Sequence, residues 1–176
     1  MRMIDGFAGL GGASQAMRAR GWDVLTVDND PAFECDVTAD LTDWHYTGPR
    51  PDLVWLSPPC DDFARHWMPW QRKRLPADSK PSMTLVNACK RLIAEIQPRY
   101  WVIENVRGAV PYLGEPQAVV GPFHLWGHFP ALGQPTLGGR KKESYSSKRK
   151  AERAMIPYAL SNALAVAIER AQELAL

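Results

Sequence analysis

The sequence predicts an α/β fold of the Rossmann-like type, a mostly parallel sheet with helices on both faces. Continuous apolar runs at 52–57 and 100–106 are typical of strands that are buried on both faces. A glycine-rich turn follows the first strand, and strand-like and helical segments alternate along the rest of the chain. Ligands bind such sheets beyond the carboxyl ends of the strands, so we expect the chemistry at that edge.

Each element has a local signal of its own. Over 2–9 we expect a short strand that runs into a glycine-rich turn, and we expect further strands at 24–27, 52–57, 100–106 and 123–130. We expect helices at 11–20, 82–97 and 157–175, the second and third of them with an apolar face. Gly21 is placed to end the first helix, and Ser82 to cap the second. The polar segments 61–81 and 133–153 are expected to be exposed loops.

Length and composition exclude several classes of protein. The 176 residues are 45% apolar and 23% charged, which predicts a single globular domain over 1–176. No apolar run approaches the roughly 18 residues of a membrane span, and the first residues lack the apolar stretch of a signal peptide. A cytoplasmic location is therefore expected. The 3 cysteines lie far apart, which favours neither a disulfide framework nor a zinc site.

Charge is unevenly distributed along the chain. Residues 1–70 carry 5 basic and 11 acidic side chains, whereas residues 71–176 carry 16 basic and 8 acidic ones. An acidic half joined to a basic half is consistent with a polyanion contact on one face. It is equally consistent with an ordinary solvated surface, and composition leaves both interpretations open.

The turn DGFAGLGG and the acid after the second strand indicate a nucleotide site. Glycines let the backbone approach a ligand closely and supply unusual dihedral angles. An acid that ends the next strand, here Asp28, is the usual partner of ribose hydroxyls. The alternative is a tight strand-to-helix turn with a surface acid.

Ser-Pro-Pro-Cys directly follows the strand at 52–57. Two prolines stiffen the backbone that carries Cys60, as the positioning of a nucleophile requires. Arg65 or a helix amino end could lower the pKa of this thiol, and Asp61 and Asp62 would oppose that effect. The alternative is a buried structural cysteine.

Glu104 lies at the tip of the apolar strand 100–106. A carboxylate is costly to bury there unless it has a partner or a chemical role. It could protonate or hydrogen-bond a ring nitrogen of a heterocycle beside a nucleophilic thiol. The alternative is an ion pair with Arg107.

Taken in order, FAGLGG, Asp28, SPPC and ENV resemble the motifs of the DNA cytosine-5 methyltransferases. The segment 39–44 is similar to the acidic loop of that family, and 157–169 more loosely to its closing helix. The resemblance implies the S-adenosylmethionine-dependent methyltransferase fold, S-adenosyl-L-methionine as cofactor, and no metal. The cofactor-binding residues that it implies are Asp5, Phe7, Ala8, Gly9, Gly11, Gly12, Asp28, Asn29, Asp40 and Pro58.

The resemblance also implies methyl transfer to carbon 5 of a cytosine flipped out of DNA. Cys60 would add to carbon 6 and Glu104 would support the ring nitrogen and amine, with Pro59 and Asn105 completing the catalytic set. Tryptophan and basic residues after Cys60, and a second basic segment, would contact DNA. The implied nucleic-acid-binding residues are Arg65, Trp67, Arg72, Lys73, Arg74, Arg107, Arg140, Lys141 and Lys142. Surface loops and a solubilising linker are the alternatives for these segments.

The chain departs from the family in its length. A reduced basic segment at about 108–153 stands where a large target-recognition region is expected, and no paired-arginine motif is evident. This predicts a short recognition context, a partner subunit or a homodimer, and is typical of a compact phage or bacterial enzyme. Two further readings keep the site but change the function. One is the same chemistry on RNA or a nucleotide, and the other is a non-catalytic subunit that binds DNA or S-adenosylmethionine. We expect His124 and His128 to pack rather than to bind a ligand.

Overall fold

The structure is a computed structural model that describes residues 1–64, 80–137, 152 and 154–174. Its strands are β1 (Arg2–Gly6), β2 (Asp23–Asp28), β3 (Val37–Thr38), β4 (Leu53–Leu56), β5 (Tyr100–Asn105), β6 (Ala118–Val120) and β7 (Phe123–His128). They form one seven-stranded sheet in the order β3-β2-β1-β4-β5-β7-β6. The first five strands are parallel to one another, and β7 runs antiparallel to both β5 and β6. The predicted mostly parallel α/β sheet is confirmed.

The described helices are α1 (Gln15–Ala19), α2 (Thr84–Ile96), α3 (Val110–Leu113) and α4 (Tyr158–Glu173). Short 3-10 turns lie at Pro31–Phe33 and Arg107–Ala109. No helix in the described part of the chain has both the length and the apolar character to cross a membrane.

Alternate residues of the central strands contact helices on opposite faces of the sheet. Met3 and Trp55 pack into one core with α1 and α4. Ile4 and Val54 pack into a second core that includes Leu92 of α2. Successive side chains of a strand point to opposite faces, so both faces must be covered to bury these apolar runs. Helices on both faces, as predicted, provide that cover.

The starts of two helices differ from the sequence expectations, and two short strands were not predicted. Helix α1 begins at Gln15 rather than at residue 11, because Gly11 has a φ of +70° that no helix allows. Helix α2 begins at Thr84, and its N-cap is Met83 rather than Ser82. The Ser82 hydroxyl nevertheless accepts the Thr84 N–H at 3.3 Å. The short edge strands β3 and β6 were not predicted, because two or three residues are too few to show an alternating pattern.

The described residues omit 65–79, 138–151, 153 and 175–176. The two segments that were expected to be exposed loops, 61–81 and 133–153, therefore lie mostly outside the described part of the chain. The assignment of 1–176 to one catalytic domain stays a prediction.

Helix α4 docks on α1 and so brings the preceding residues to the glycine turn. The Ser161 hydroxyl donates to the Ala13 carbonyl oxygen at 2.6 Å and accepts the Ala16 N–H at 3.2 Å. Arg20 pairs with Glu169, whose carboxylate also accepts the Trp22 indole N–H at 2.9 Å. These contacts hold residues 154–156 beside the turn, although more than 140 positions separate the bonded residues.

Candidate active site

A cleft of about 640 Å³ lies at the carboxyl edge of β1, β2, β4 and β5. The glycine turn forms one wall and the Ser-Pro-Pro-Cys segment forms another. Most of the implied catalytic and cofactor-binding residues line it. They are Asp5, Phe7, Ala8, Gly9, Gly12, Asp28, Asn29, Pro58, Pro59, Cys60 and Glu104.

The glycine turn is shaped by unusual backbone angles and by close packing. Phe7 and Gly9 have φ values of +56° and +51°. The Ala8 N–H donates to the Val27 carbonyl oxygen at 3.2 Å, which ties the turn to β2. A Cβ atom on Gly12 would lie 2.7 Å from the backbone nitrogen and oxygen of Ile156. Gly12 is therefore required for contact with the segment before α4, whereas Gly9 is required for its backbone angle.

Asp28 connects the turn to the end of β2. Its side chain is 8% exposed, accepts the Gly9 N–H at Oδ2 (2.9 Å) and accepts the Asp30 N–H at Oδ1 (3.0 Å). Each carboxylate oxygen has a second lone pair. The group can therefore brace the turn and still accept hydroxyl donors from a ligand in the cleft.

Asp5, at the end of β1, is the most deeply buried acid of the cleft, with 1% of its surface exposed. Its Oδ2 atom is buried and has no hydrogen-bond partner among the described residues. Burial raises the pKa of Asp5 to about 7, although hydrogen bonding to Ser14 and the charge of Arg18 act in the opposite direction. A buried polar atom of this kind is costly unless a ligand or water satisfies it.

The segment that carries Cys60 is fixed on both sides. The Ser57 N–H donates to the Gly6 carbonyl oxygen at 3.2 Å. After the cysteine, the amides of Phe63 and Ala64 donate to the Cys60 carbonyl oxygen at 3.0 and 2.8 Å. Both of these side chains are buried, so the turn is anchored in the core. Residues 61–64 form this turn rather than a helix, and Arg65 lies outside the described residues.

Asn105 is buried beneath the Ser-Pro-Pro-Cys segment and does not line the cleft. Its side-chain amide donates to the Pro58 carbonyl oxygen at 2.9 Å, and its Oδ1 accepts the Val106 N–H at 2.9 Å. It therefore acts through the backbone that carries Cys60. The catalytic role that the resemblance implies for Asn105 stays a prediction.

Gly108 supports the same segment from the other side, and sequence reasoning missed it. A Cβ atom at this position would overlap the Phe63 carbonyl oxygen. The 3-10 turn after β5 therefore packs against the backbone of the turn that follows Cys60. The available signal was a glycine close behind ENV, but its partner is distant in sequence.

Glu104 is half-buried in the cleft. Burial raises its pKa to about 7, and a hydrogen bond with Ser57 acts in the opposite direction. The Ser57 hydroxyl oxygen also accepts the Trp55 indole N–H at 2.6 Å. Because that oxygen faces a donor, the Ser57 hydroxyl proton is directed away from the indole and is available to an acceptor such as Glu104. Arg107 is exposed, and no ion pair joins it to Glu104 in the described structure.

Several implied site residues lie elsewhere. Gly11 is not among the cleft-lining residues, although its N–H donates to the Ala8 carbonyl oxygen at 2.8 Å and so closes the glycine turn. Asp40 is exposed, and its Oδ1 accepts the Thr42 N–H and hydroxyl at 2.9 and 2.8 Å, so it caps a turn of its own loop. The implied DNA contacts Arg65, Trp67, Arg72, Lys73, Arg74, Arg140, Lys141 and Lys142 lie outside the described residues.

Further residues line the cleft that were not among the predicted site residues, some within the predicted segments and others remote from them. These lining residues are Leu10, Ala13, Asp30, Phe33, Ser57, Asp61, Val106, Pro122, Phe123, Ala154, Met155 and Ile156. Pro122 and Phe123 reach it because β7 is antiparallel to β5, with His124 opposite Asn105. Neither position carries a motif, and only strand pairing places them there.

The two histidines of β7 make aromatic contacts. His124 stacks on Trp126 and His128 on Tyr100, with ring centroids 6.1 and 5.9 Å apart. Within the described residues, no group of three or more His, Cys, Asp or Glu side chains could hold a metal ion.

No protein-family model matches the chain. It is similar to the "Probable DNA (cytosine-5)-methyltransferase" of Frog virus 3 (isolate Goorha), with 31% identity over 118 residues. The match covers 60% of this chain and 53% of the viral protein. The chain therefore spans about half the length of the curated relative that it matches.

Solved structures of methyltransferases also align with the chain. A prophage-encoded E. coli protein assigned as a DNA modification methyltransferase has a TM-score of 0.46 and 22% identity, covering 62% of this chain and 33% of that one. The Entamoeba histolytica methyltransferase EhMeth has a TM-score of 0.41 and 16% identity, covering 64% and 40%. The predicted resemblance to the DNA cytosine-5 methyltransferases is confirmed by the viral protein: this chain is a relative of a protein that carries that name.

Proposed function

We propose that the protein transfers a methyl group from S-adenosyl-L-methionine to carbon 5 of cytosine in DNA, through a covalent adduct with Cys60. One observation carries the proposal: Cys60, Glu104 and the glycine turn with its two acids surround a single cleft. A thiol nucleophile, a proton donor and a nucleotide-type turn are the groups that this reaction needs. The name of the viral relative supports the same activity.

The glycine-turn side of the cleft fits the cofactor. Each carboxylate oxygen of Asp28 keeps a lone pair that can accept a ribose hydroxyl. No atom lies within 4 Å of a Cβ built on Gly9, so the cofactor can approach the backbone closely there. Phe7 and Phe33 add aromatic surface to the same cleft. When bound, this cofactor supplies an electrophilic methyl group.

Cys60 activates the target carbon. Cytosine carbon 5 is a poor nucleophile until a thiolate adds to carbon 6, because the addition converts the ring to an enamine. A sulfur–carbon bond forms, and the displaced electron pair moves toward the ring nitrogen. The hydrogen-bonded turn around Cys60 fixes the backbone from which the sulfur attacks.

Glu104 supplies the proton that the ring nitrogen takes up. A pKa of about 7 leaves a large share of the carboxyl protonated near neutral pH, whereas an ordinary glutamate would be almost fully ionised. After carbon 5 takes the methyl group, S-adenosylhomocysteine is the leaving product. Solvent water accepts the proton that carbon 5 then loses, the sulfur–carbon bond breaks, and the proton on the ring nitrogen returns to Glu104. Cys60 is thereby regenerated as the thiolate.

DNA is the proposed substrate, and the cytosine must leave the stack to reach this recessed thiol. The basic second half of the chain supports a polyanion partner. Only a reduced basic segment at about 108–153 stands where the family's recognition region is expected, so we further propose that a partner subunit or a second copy of the chain contributes to target recognition.

The decisive experiment is methyl transfer from labelled S-adenosylmethionine to duplex DNA, with the product nucleosides read by mass spectrometry. The wild type is expected to form 5-methylcytosine and Cys60→Ala none. Cys35→Ala is the matched control, because Cys35 does not line the cleft. Parallel reactions with single-stranded RNA and with cytidine nucleotides test the alternative substrates.

Product at another atom, or an active Cys60→Ala variant, would contradict the proposed chemistry. Product from RNA but not from DNA would reject the DNA substrate and retain the mechanism. Binding of S-adenosylmethionine and DNA without any product would favour a binding subunit.

A further inference from the structure

We propose that Ser57 is a positioning residue for Glu104. Held by the buried indole of Trp55, its hydroxyl donates to one carboxyl oxygen and so presents the other, proton-bearing oxygen to the cytosine ring. The inference rests on the proposed function, since that function makes Glu104 the proton donor. It extends the machinery of the Cys60 side to β4 and the residue that follows it.

Strand register places Ser57 beside Glu104. β4 and β5 are parallel, and their last registered pair is Leu56 with Ile103. Ser57 and Glu104 come next on the two chains, and side chains of paired residues on neighbouring strands lie on the same face of the sheet. Both residues line the cleft. The hydrogen bond between the Ser57 hydroxyl and the Glu104 carboxyl therefore follows from the pairing of the two strands.

Trp55 fixes the direction of that hydrogen bond. Its side chain is fully buried, and its indole N–H donates to Ser57 Oγ at 2.6 Å. An indole N–H can only donate, so it occupies a lone pair of the hydroxyl oxygen. The Ser57 proton must then point elsewhere, and Glu104 is the acceptor beside it.

The backbone of Ser57 is held on both sides. Its N–H donates to the Gly6 carbonyl oxygen at 3.2 Å. The carbonyl oxygen of the next residue, Pro58, accepts the Asn105 side-chain amide at 2.9 Å, and the proline ring fixes φ at that position. Because the backbone and the indole are both fixed, the hydroxyl keeps its place beside Glu104.

The other surroundings of Glu104 make this donor important. The register partner of Glu104 in β7 is Leu125, which is apolar. No lysine, arginine or histidine is among the described residues that line the cleft. The other titratable groups of that lining are Asp5, Asp28, Asp30, Cys60 and Asp61. Ser57 thus supplies a donor for the carboxylate that forms when Glu104 gives up its proton.

The arrangement directs the proton of Glu104. The carboxyl oxygen that accepts the Ser57 hydroxyl is already occupied on that side, so the acid proton lies on the other oxygen, which is free to meet a ligand in the cleft. That proton passes to the ring nitrogen, and the electron pair of the broken O–H bond stays on the carboxylate. Ser57 keeps its own proton throughout, and Glu104 regains its proton when the sulfur–carbon bond breaks.

Titration of Glu104 in the ligand-free protein tests the contact. Its carboxyl carbon is followed by NMR in protein containing isotope-labelled glutamate and is assigned with Glu104→Gln. Ser57→Ala should raise the titration midpoint by about one pH unit, because the ionised carboxyl loses a hydrogen bond. Ser57→Thr keeps the hydroxyl and should leave the midpoint unchanged. Trp55→Phe removes only the N–H and should raise the midpoint by less, and the Ser57 variants carry the test if this buried position does not tolerate the change.

Single-turnover methyl transfer tests the role in the reaction. Ser57→Ala should lower the rate about tenfold and leave the affinity for S-adenosylhomocysteine unchanged, whereas Ser57→Thr should retain the wild-type rate. Trp126→Phe is the matched control for the loss of an indole N–H. Trp126 is also buried and donates to the Gly114 carbonyl oxygen at 2.8 Å, but it does not line the cleft. This control should change neither the midpoint nor the rate.

The outcomes separate the inference from the proposed function. An unchanged midpoint in Ser57→Ala would overturn the inference, and this result needs no active enzyme. Normal turnover in Ser57→Ala, or a Ser57→Thr variant as impaired as Ser57→Ala, would also overturn it. If the wild type transferred no methyl group, the proposed function would fail and the catalytic role of Ser57 with it, whereas the titration would still report the contact.

Discussion

The two halves of the cleft are built in different ways. On the glycine-turn side, the polar contacts of Asp28 join one short stretch to the next strand, such as Gly9 to Asp28 at 2.9 Å across 19 positions, although Ile156 also packs against Gly12. On the Cys60 side, the supporting contacts come from a different strand, such as Asn105 to Pro58 across 47 positions. The first half can be read from a motif, whereas the second depends on the pairing of β4 with β5.

The comparison has a functional meaning. The glycine-turn half offers backbone groups and acids, which suit the binding of a small ligand. The Cys60 half offers a thiol in a stiff turn beside a carboxyl group whose pKa is about 7, which suits chemistry. Damage to one half should therefore affect binding, and damage to the other should affect turnover.

Loss of the nucleophile is the largest expected effect. Cys60→Ala should lower methyl transfer by at least about a thousandfold, because no other described cleft residue can form the adduct. Calorimetric affinity for S-adenosylhomocysteine should stay within about twofold of the wild type. A Cys60→Ala variant that kept more than about a thousandth of wild-type methyl transfer would reject Cys60 as the nucleophile.

Gly108→Ala breaks the support of the Cys60 half without touching the ligand. Because the new methyl group would overlap the Phe63 carbonyl oxygen, the turn after Cys60 must move. A displacement of about 1 Å can reduce kcat about a hundredfold. We expect that loss in single-turnover assays, with cofactor affinity preserved.

Gly133→Ala is the matched control, since a Cβ atom at Gly133 meets no atom within 4 Å. If both glycine variants turned over normally, the positioning role of Gly108 would be wrong. A loss of cofactor affinity equal to the loss of turnover would contradict the separation of the two halves.

Asp28→Ala breaks the glycine-turn half. It removes the acceptor for the Gly9 and Asp30 amides and the proposed ribose contact. Hydrogen bonds to a charged group are worth about 1.5–3 kcal/mol, so affinity for S-adenosylhomocysteine should fall about 10- to 100-fold. Asp43→Ala serves as the calorimetric control, and unchanged affinity in Asp28→Ala would reject the assignment.

The smallest expected effect is on the pH dependence of stability without ligand. Asp5 and Glu104 both have pKa values raised to about 7 in the folded protein, against about 4 in an unfolded chain. The folded state therefore binds more protons between these values, and stability falls as pH rises from 4 to 7. The thermal midpoint should be lower at pH 7.5 than at pH 5.

Asp5→Asn should reduce that difference, because a neutral amide does not titrate. Calorimetric scans of the wild type and the variant at both pH values provide the measurement. A midpoint that rises from pH 5 to pH 7.5 in the wild type would contradict the raised pKa values.

Much of the site was predictable because its residues lie at the ends of strands that the sequence marks clearly. The two apolar strands end at Leu56 and Asn105. Because these strands are parallel, the residues at their carboxyl ends, Cys60 and Glu104 among them, must lie at the same edge of the sheet. Asp40 was implied as a cofactor contact by the family resemblance alone, and in the structure its Oδ1 accepts the Thr42 amide and hydroxyl protons. Local hydrogen bonding competes with a ligand role, and its outcome is not visible in the spacing of residues.

The sequence by itself determined the α/β alternation, the glycine turn and the order of the thiol and the carboxyl group, because these depend on local patterns and strand polarity. The tertiary structure alone decided which distant backbones meet. It brought Ile156 against Gly12, Phe63 against Gly108, and Phe123 into the cleft with Glu104. It also left Asp5 Oδ2 buried without a hydrogen-bond partner in the described structure. Burial and close packing are properties of surfaces assembled from remote segments, so no short motif can encode them.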